Sequence, residues 1–215
     1  MRIPSLLIAI PVLGASAWAQ NESPDFYLQL GLGIVGSEEA EGVPGGTVGF
    51  DPGYGVSLAV GYDMVIDESL TFAPEFELYY QSFRVDEDDL DAIPSAVEDD
   101  AKTFAFMVNG TFDWNITKQF SWYGGVGVGW ASVIEYSAWD SGNLLIRDDS
   151  GLAGQLRLGL GYNLGGTYDV RVGFRYFKTE PVEIEDQVTG DVDEIDVGQA
   201  AFEASLRWGF FPFGR

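Results

Sequence analysis

Tyr168-Asp169-Val170-Arg171-Val172-Gly173-Phe174-Arg175-Tyr176 alternates strictly between bulky apolar residues and polar or small ones. Successive side chains of a β-strand point to opposite faces, so a strand here has one face of Tyr, Val, Val, Phe and Tyr. The other face carries Asp, Arg, Gly and Arg. The segments on either side in sequence behave alike. Leu152, Leu156, Leu158, Leu160 and Tyr162 alternate with Gln155, Arg157, Gly159, Gly161 and Asn163. Phe202, Leu206, Trp208 and Phe210 alternate with Glu203, Ser205, Arg207 and Gly209.

Five more such segments lie toward the N-terminus: Phe26–Ile34, Tyr54–Asp63, Phe72–Gln81, Thr103–Trp114 and Phe120–Trp130. That makes eight amphipathic strands. Eight strands closed into a barrel enclose little more than their own inward side chains. Up to five bulky residues per strand, several of them Trp, do not fit inside such a barrel. The Gly-rich polar face does. The oily face therefore points outward into lipid, with the backbone fully paired within the barrel. If the first strand rises from the periplasm, each strand has an outward aromatic at its periplasmic end: Phe26, Tyr62, Phe72, Trp114, Trp122, Tyr162, Tyr168 and Trp208. Tyr54, Tyr80, Phe104, Trp130, Tyr176 and Phe202 mark the opposite end. Two aromatic belts suit the two membrane–water interfaces.

The connections alternate in length. Short ones lie near Ile66–Ser69, Asn115–Lys118 and Gly165–Thr167, and long ones near Gly36–Gly53, Val85–Ala101, Glu135–Ser150 and Lys178–Gly198. Short turns inside and long loops outside are the habit of outer-membrane barrels. The long loops hold 24 of the 34 acids and only Arg147 and Lys178 as bases, so they carry almost all of the net charge of −23. Solvated, soluble loops are the plain account of this charge. The sharper one is that Asp86-Glu87-Asp88-Asp89 and Asp191–Asp196 gather divalent cations at a lipopolysaccharide surface, since oxygen ligands suit calcium or magnesium. Neither run has EF-hand spacing.

Composition excludes several functions. The acidic balance repels a phosphate backbone, so no nucleic-acid partner is expected. With no Cys and no His, thiolate metal sites, disulfides and every His-dependent catalytic constellation are missing. No enzymatic activity, cofactor or metal is expected. Gly31-Leu32-Gly33-Ile34-Val35-Gly36 matches a dinucleotide-loop pattern, but an acidic loop follows where a helix should open. Met1-Arg2, the apolar Ile3–Val12 and Ala17-Trp18-Ala19 form a secretory signal pattern over residues 1–19, leaving 20–215 as the exported barrel domain.

The inward charges near mid-barrel are Glu75, Glu77 and Glu203 against Arg157, Arg171, Arg175 and Arg207. Buried charges need partners, so an internal Arg–carboxylate network filling the lumen is expected. The inward glycines make room for the arginines and for Tyr27, Tyr79 and Tyr123. The alternative is that those glycines leave a narrow wet passage.

The signal, the eight alternating strands, the short inner turns and the long outer loops together resemble the small outer-membrane barrels of Gram-negative bacteria. The nearest likeness is to outer-membrane protein A-type and opacity-protein-like ("porin family") barrels. Leu206-Arg207-Trp208-Gly209-Phe210-Phe211 is similar to the aromatic closing strand of those families, although this chain continues through Pro212-Phe213-Gly214-Arg215. The resemblance implies an all-β, eight-stranded antiparallel transmembrane barrel in the outer membrane. It also implies contact with outer-membrane lipid and lipopolysaccharide, and assembly by the barrel-assembly machinery. A structural or surface-interaction role comes first among the functions, and a narrow porin-like channel for ions or small solutes is the alternative. An exported soluble carrier or a membrane enzyme ranks below both.

Overall fold

The computed structural model describes residues 25–37, 40–43, 46–48, 50–85, 100–135, 144–145, 149–165, 167–180, 182–186, 192–195 and 198–210. The strands are β1 (Asp25–Ser37), β2 (Ala40–Val43), β3 (Gly46–Val48), β4 (Phe50–Val65), β5 (Leu70–Val85), β6 (Asp100–Asn115) and β7 (Phe120–Glu135). They continue as β8 (Leu144–Leu145), β9 (Asp149–Gly165), β10 (Tyr168–Thr179), β11 (Val182–Asp186), β12 (Val192–Ile195) and β13 (Gly198–Phe210). Eight of them close an antiparallel barrel in the order β1-β13-β10-β9-β7-β6-β5-β4. No helix occurs among the described residues. The barrel strands run 12–17 residues, against the roughly 9–11 tilted residues that cross a hydrocarbon core.

Closure comes from β1 and β13, which pair from Phe26↔Phe210 to Ser37↔Gln199 and leave no sheet edge unsatisfied. Side chains then sort by parity. Along β10 and β13 exposed and buried residues alternate without a break through the middle of each strand. Leu158, Val172, Phe174 and Phe106 lie outside, while Glu75, Arg157 and Arg175 are almost fully buried. Most of the bulky apolar side chains face out, and the charged ones of the strand middles are enclosed.

The long connections contain more structure than the alternation alone indicated. β2 pairs with β3, and β8, β11 and β12 form a small separate sheet. β4 begins at Phe50, before its alternation starts at Tyr54. The register shifts between Asp51 and Tyr54, where Pro52 and Gly53 break the two-residue period. Pro74 stands within β5 facing outward, opposite Gly110. Pairing with β4 passes from Gly61↔Glu75 to Met64↔Phe72 across it. A proline donates no hydrogen bond to a ladder, and the gap falls where that bond would be. Residues 1–24, with the signal pattern, lie outside the described residues, as does Asp86-Glu87-Asp88-Asp89. Of Asp191–Asp196, only the backbone of Val192–Ile195 is described.

The short turns are held by local polar bonds. In the β4–β5 turn the Asp67 carboxylate accepts from Ser69 N–H at 2.7 Å, Ser69 Oγ at 2.8 Å and Leu70 N–H at 2.9 Å. In the β6–β7 turn Thr117 Oγ1 accepts from Phe120 N–H at 3.0 Å. Gly165 takes φ +97°, a conformation L side chains rarely adopt, to start the turn into β10. The Ser69 N–H, followed by the Ser69 hydroxyl, holds the Asp67 carboxyl below its ordinary 3.8. A depressed folded-state pKa makes this stabilisation complete above about pH 4, and it is lost as pH falls through the lower folded value. Asp67→Ala is expected to lower the urea midpoint of the refolded barrel at pH 7. The difference from the unaltered chain should shrink progressively as pH falls below about 4, and a gap that does not diminish with falling pH would refute this account.

Candidate functional site in the barrel lumen

The inward side chains stack in three layers, and the middle layer is charged. β5 supplies Glu75 and Glu77, β9 supplies Gln155 and Arg157, β10 supplies Arg175 and β13 supplies Glu203. β5 and β10 are four strands apart in either direction around the barrel, so any contact between them crosses the lumen. Arg175 makes that crossing, with Nη2 2.6 Å from Glu77 Oε1. The same guanidinium donates through Nε to Glu203 Oε2 at 3.0 Å and through Nη1 to Gln155 Oε1 at 2.6 Å. Arg157 pairs with Glu75, donates to Thr111 Oγ1 at 2.8 Å and lies 3.8 Å from Glu77. Tyr27 donates to Glu75 at 2.6 Å, and Asn109 and Gln155 both donate to Glu77. Glu75, Glu77, Arg157 and Arg175 each have two or more polar partners, and Glu203 is held by Arg175. Partnering of this kind is the condition under which buried ions are tolerated.

The other two arginines sit nearer the periplasmic end and have partners of their own. Arg171 Nη2 lies 2.9 Å from Asp113 Oδ1. Arg207 pairs with Asp63 and reaches across the lumen to Asp113 Oδ2 at 3.4 Å. The charges read from the sequence as one set thus divide into two layers. Asp63 and Asp113 complete the second, and they were not among the inward charges read near mid-barrel from the sequence. Their inward parity was the signal available. Arg207 also lies 3.4 Å from the Tyr27 ring centroid and Arg175 4.2 Å from that of Tyr79. Such cation–π contacts help replace lost hydration.

The third layer, toward the long loops, is largely apolar but also encloses the hydrogen-bonded Gln81 and Gln199, with the Tyr79 hydroxyl donating to Gln81. Tyr79, Ala105, Met107, Ala131, Ala153 and Phe177 form one buried cluster, with Val35, Phe83 and Ala201 also enclosed. The Tyr79 and Phe177 rings are 5.4 Å apart. Of this layer the sequence reading singled out Tyr79 alone, because Met107, Phe83 and Phe177 interrupt the expected polar parity. Several of the inward glycines clear space for tyrosines, and others for serine, threonine or asparagine side chains or for the neighbouring backbone. A Cβ on Gly61 would collide with the Tyr27 ring, and one on Gly159 or Gly173 with Tyr123.

Outward aromatics pack in pairs on the other face of the wall. Phe26 packs edge-on against Tyr62 at 4.8 Å, and Tyr168 stacks on Trp208 at 6.3 Å. Phe72 lies beside Phe112 at 4.9 Å, and Tyr162 beside Phe120 at 4.9 Å. Trp114 and Trp122 are paired across β6 and β7 and are exposed. Among the described residues no group of three or more His, Cys, Asp or Glu is placed to hold a metal ion.

A closed barrel with an apolar exterior and a charged, packed interior is a transmembrane β-barrel. The chain belongs to the family described as outer membrane protein beta-barrel domain, whose match runs over residues 5–210, and it is a protein of the bacterial outer membrane. It is similar to Neisserial surface protein A at 19% identity and TM-score 0.53, covering 88% of this chain and 100% of that one. The outer membrane protein AlkL in lipid bilayers is similar at 14% identity and TM-score 0.54, over 92% and 95%. A major outer membrane protein of Thermus thermophilus is similar at 12% identity and TM-score 0.54, over 88% and 100%. At these identities the likeness is one of fold. No curated protein matches the chain.

Proposed function

We propose that the protein is a closed outer-membrane barrel with a structural and surface-interaction role, carrying acidic loops on the cell exterior. The observation that supports this best is Arg175 bridging opposite walls of the lumen to Glu77 at 2.6 Å, inside a layer of side chains almost without solvent exposure. An eight-stranded interior has no room for a pore around such a bridge. In this reading the belt of Phe26, Tyr62, Phe72, Trp114, Trp122, Tyr162, Tyr168 and Trp208 sits at the periplasmic interface. The loop carboxylates meet lipopolysaccharide through divalent cations, and the barrel-assembly machinery inserts the exported chain. The reading assigns the protein no catalysis.

The test is conductance in planar bilayers. The unaltered barrel is expected to give no steady current. Arg157→Ala is expected to stay silent as well, because the apolar layer around Phe177 still closes the outer half. Arg175→Ala combined with Phe177→Ala, which removes the cross-lumen bridge as well as the ring above it, is expected to conduct. A narrow channel is the second reading, favoured by a polar cavity at the periplasmic end of the lumen. Steady opening of the unaltered barrel, with ion selectivity changed by Arg171→Ala, would establish the channel and overturn the closed barrel.

A further inference from the structure

The periplasmic mouth opens into a cavity of about 130 Å³, where roughly 10–15 Å³ suffices for one water. Its titratable lining is Asp63, Asp113 and Asp169 against Lys118, Arg171 and Arg207, three charges of each sign. A lining so balanced favours neither an anion nor a cation. It favours a molecule that carries both charges.

A second observation separates this cavity from the charged layer above it. Six buried side-chain polar atoms among the described residues have no aligned hydrogen-bond partner: Gln29 Oε1, Asp63 Oδ1, Asp113 Oδ1, Arg171 Nε, Ser205 Oγ and Arg207 Nη2. None belongs to Glu75, Glu77, Glu203, Arg157 or Arg175. Four belong to residues that line the cavity. The other two are register neighbours of lining residues, Gln29 of Arg207 and Ser205 of Arg171. The Arg207–Asp63 and Arg171–Asp113 pairs are close in space but poorly aligned as hydrogen bonds, although Arg171, Arg207 and Asp113 are each more than nine-tenths buried. Asp63 Oδ1, Arg207 Nη2 and Asp113 Oδ1 are at least paired as ions. The capacity left wholly unmet is therefore that of Arg171 Nε in the cavity lining and of Gln29 Oε1 and Ser205 Oγ beside it, and an unpaired buried polar group costs stability.

We infer that this vestibule is a binding site, open to the periplasm, for a small zwitterion with an ammonium and a carboxylate close together, of the size of a simple α-amino acid. The carboxylate accepts from the Arg171 and Arg207 guanidiniums, and Lys118 at the rim adds to their attraction. The ammonium donates to Asp63, Asp113 or Asp169. A solute bearing one charge would complete only half of this lining and leave the opposite charges competing for it. The site goes beyond the closed-barrel reading, because binding at the mouth is independent of whether ions cross.

The experiment uses the full barrel refolded in detergent micelles, with the arginine Nε–Hε groups followed by nitrogen-15 NMR during titration with glycine. Acetate, methylammonium and calcium chloride at matched ionic strength are the single-charge controls. Glycine is expected to shift Arg171 and Arg207 saturably and to leave Arg157 and Arg175 in place, with acetate and methylammonium binding at least about tenfold more weakly. Asp169→Asn and Lys118→Gln are each expected to weaken glycine several-fold while the heat-modifiable gel mobility of the folded barrel persists. Three results would each overturn the inference. The first is no saturable shift, which makes the vestibule a hydrated mouth only. The second is acetate or calcium binding as well as glycine, which makes it a single-sign ion site. The third is unchanged glycine binding in both variants.

Discussion

Arg175→Met is expected to destabilise the barrel by about 3–5 kcal/mol, the usual cost of stripping one partner from a buried ion pair. The reason is the count of charges left behind. With Arg175 in place, two guanidiniums face Glu75, Glu77 and Glu203. Without it, Arg157 alone faces all three, and Glu203 loses the only ion-pair partner it has among the described residues. Glu77 retains Asn109, Gln155 and a more distant Arg157, so Glu203 suffers most. Removing Glu203 as well, in Arg175→Met with Glu203→Leu, restores the original charge balance and is expected to recover a large part of the loss. Urea unfolding from lipid vesicles, followed by tryptophan fluorescence, reads both variants. If the double variant is no more stable than Arg175→Met, charge balance is not what holds the middle layer together.

The second large effect is on the outside of the wall. Leu158 lies near the middle of β9 and points away from the lumen, 57% exposed. Leu164 faces the same way at the periplasmic end of the strand, 58% exposed. In water the two sites would tolerate arginine equally. In a bilayer they do not, because a lipid-facing arginine costs ~2–4 kcal/mol at the midplane and ~0–1 near an interface. Leu158→Arg is therefore expected to lower folding stability in vesicles by a few kcal/mol, and Leu164→Arg hardly at all. Equal effects at the two positions would place β9 elsewhere than across the hydrocarbon.

These two experiments probe the two faces that the sequence distinguishes. The period-two alternation of Tyr168–Tyr176 and its seven counterparts was sufficient for the number of strands. The bulk of Phe, Trp and Leu against the interior of so small a barrel fixed which face is outside. Both follow from local rules, since parity on a strand decides the side and volume decides what can be enclosed. Glu75, Glu77, Glu203, Arg157, Arg171, Arg175 and Arg207 were legible as inward residues for the same reason. Pro74, Pro52 and Gly53 were harder to place, because each interrupts the period without ending its strand.

What the alternation could not contain is who meets whom across the lumen. Parity says that Arg175 and Arg207 both point inward, but not that one reaches Glu77 and the other Asp63 and Asp113. Those partners depend on how far each strand is offset from the next as the barrel closes, which is a property of all eight registers together. The offset puts Arg175 opposite Glu77 through residues 98 apart in the chain. It also separates the charges into a satisfied middle layer and a less well aligned periplasmic one, with Met107 and Phe177 gathered above them. Strand parity and side-chain volume were enough to specify a membrane barrel with an ionic interior. Only closure of the sheet decided the layering, because distance across a barrel is set by register and not by position along the strand.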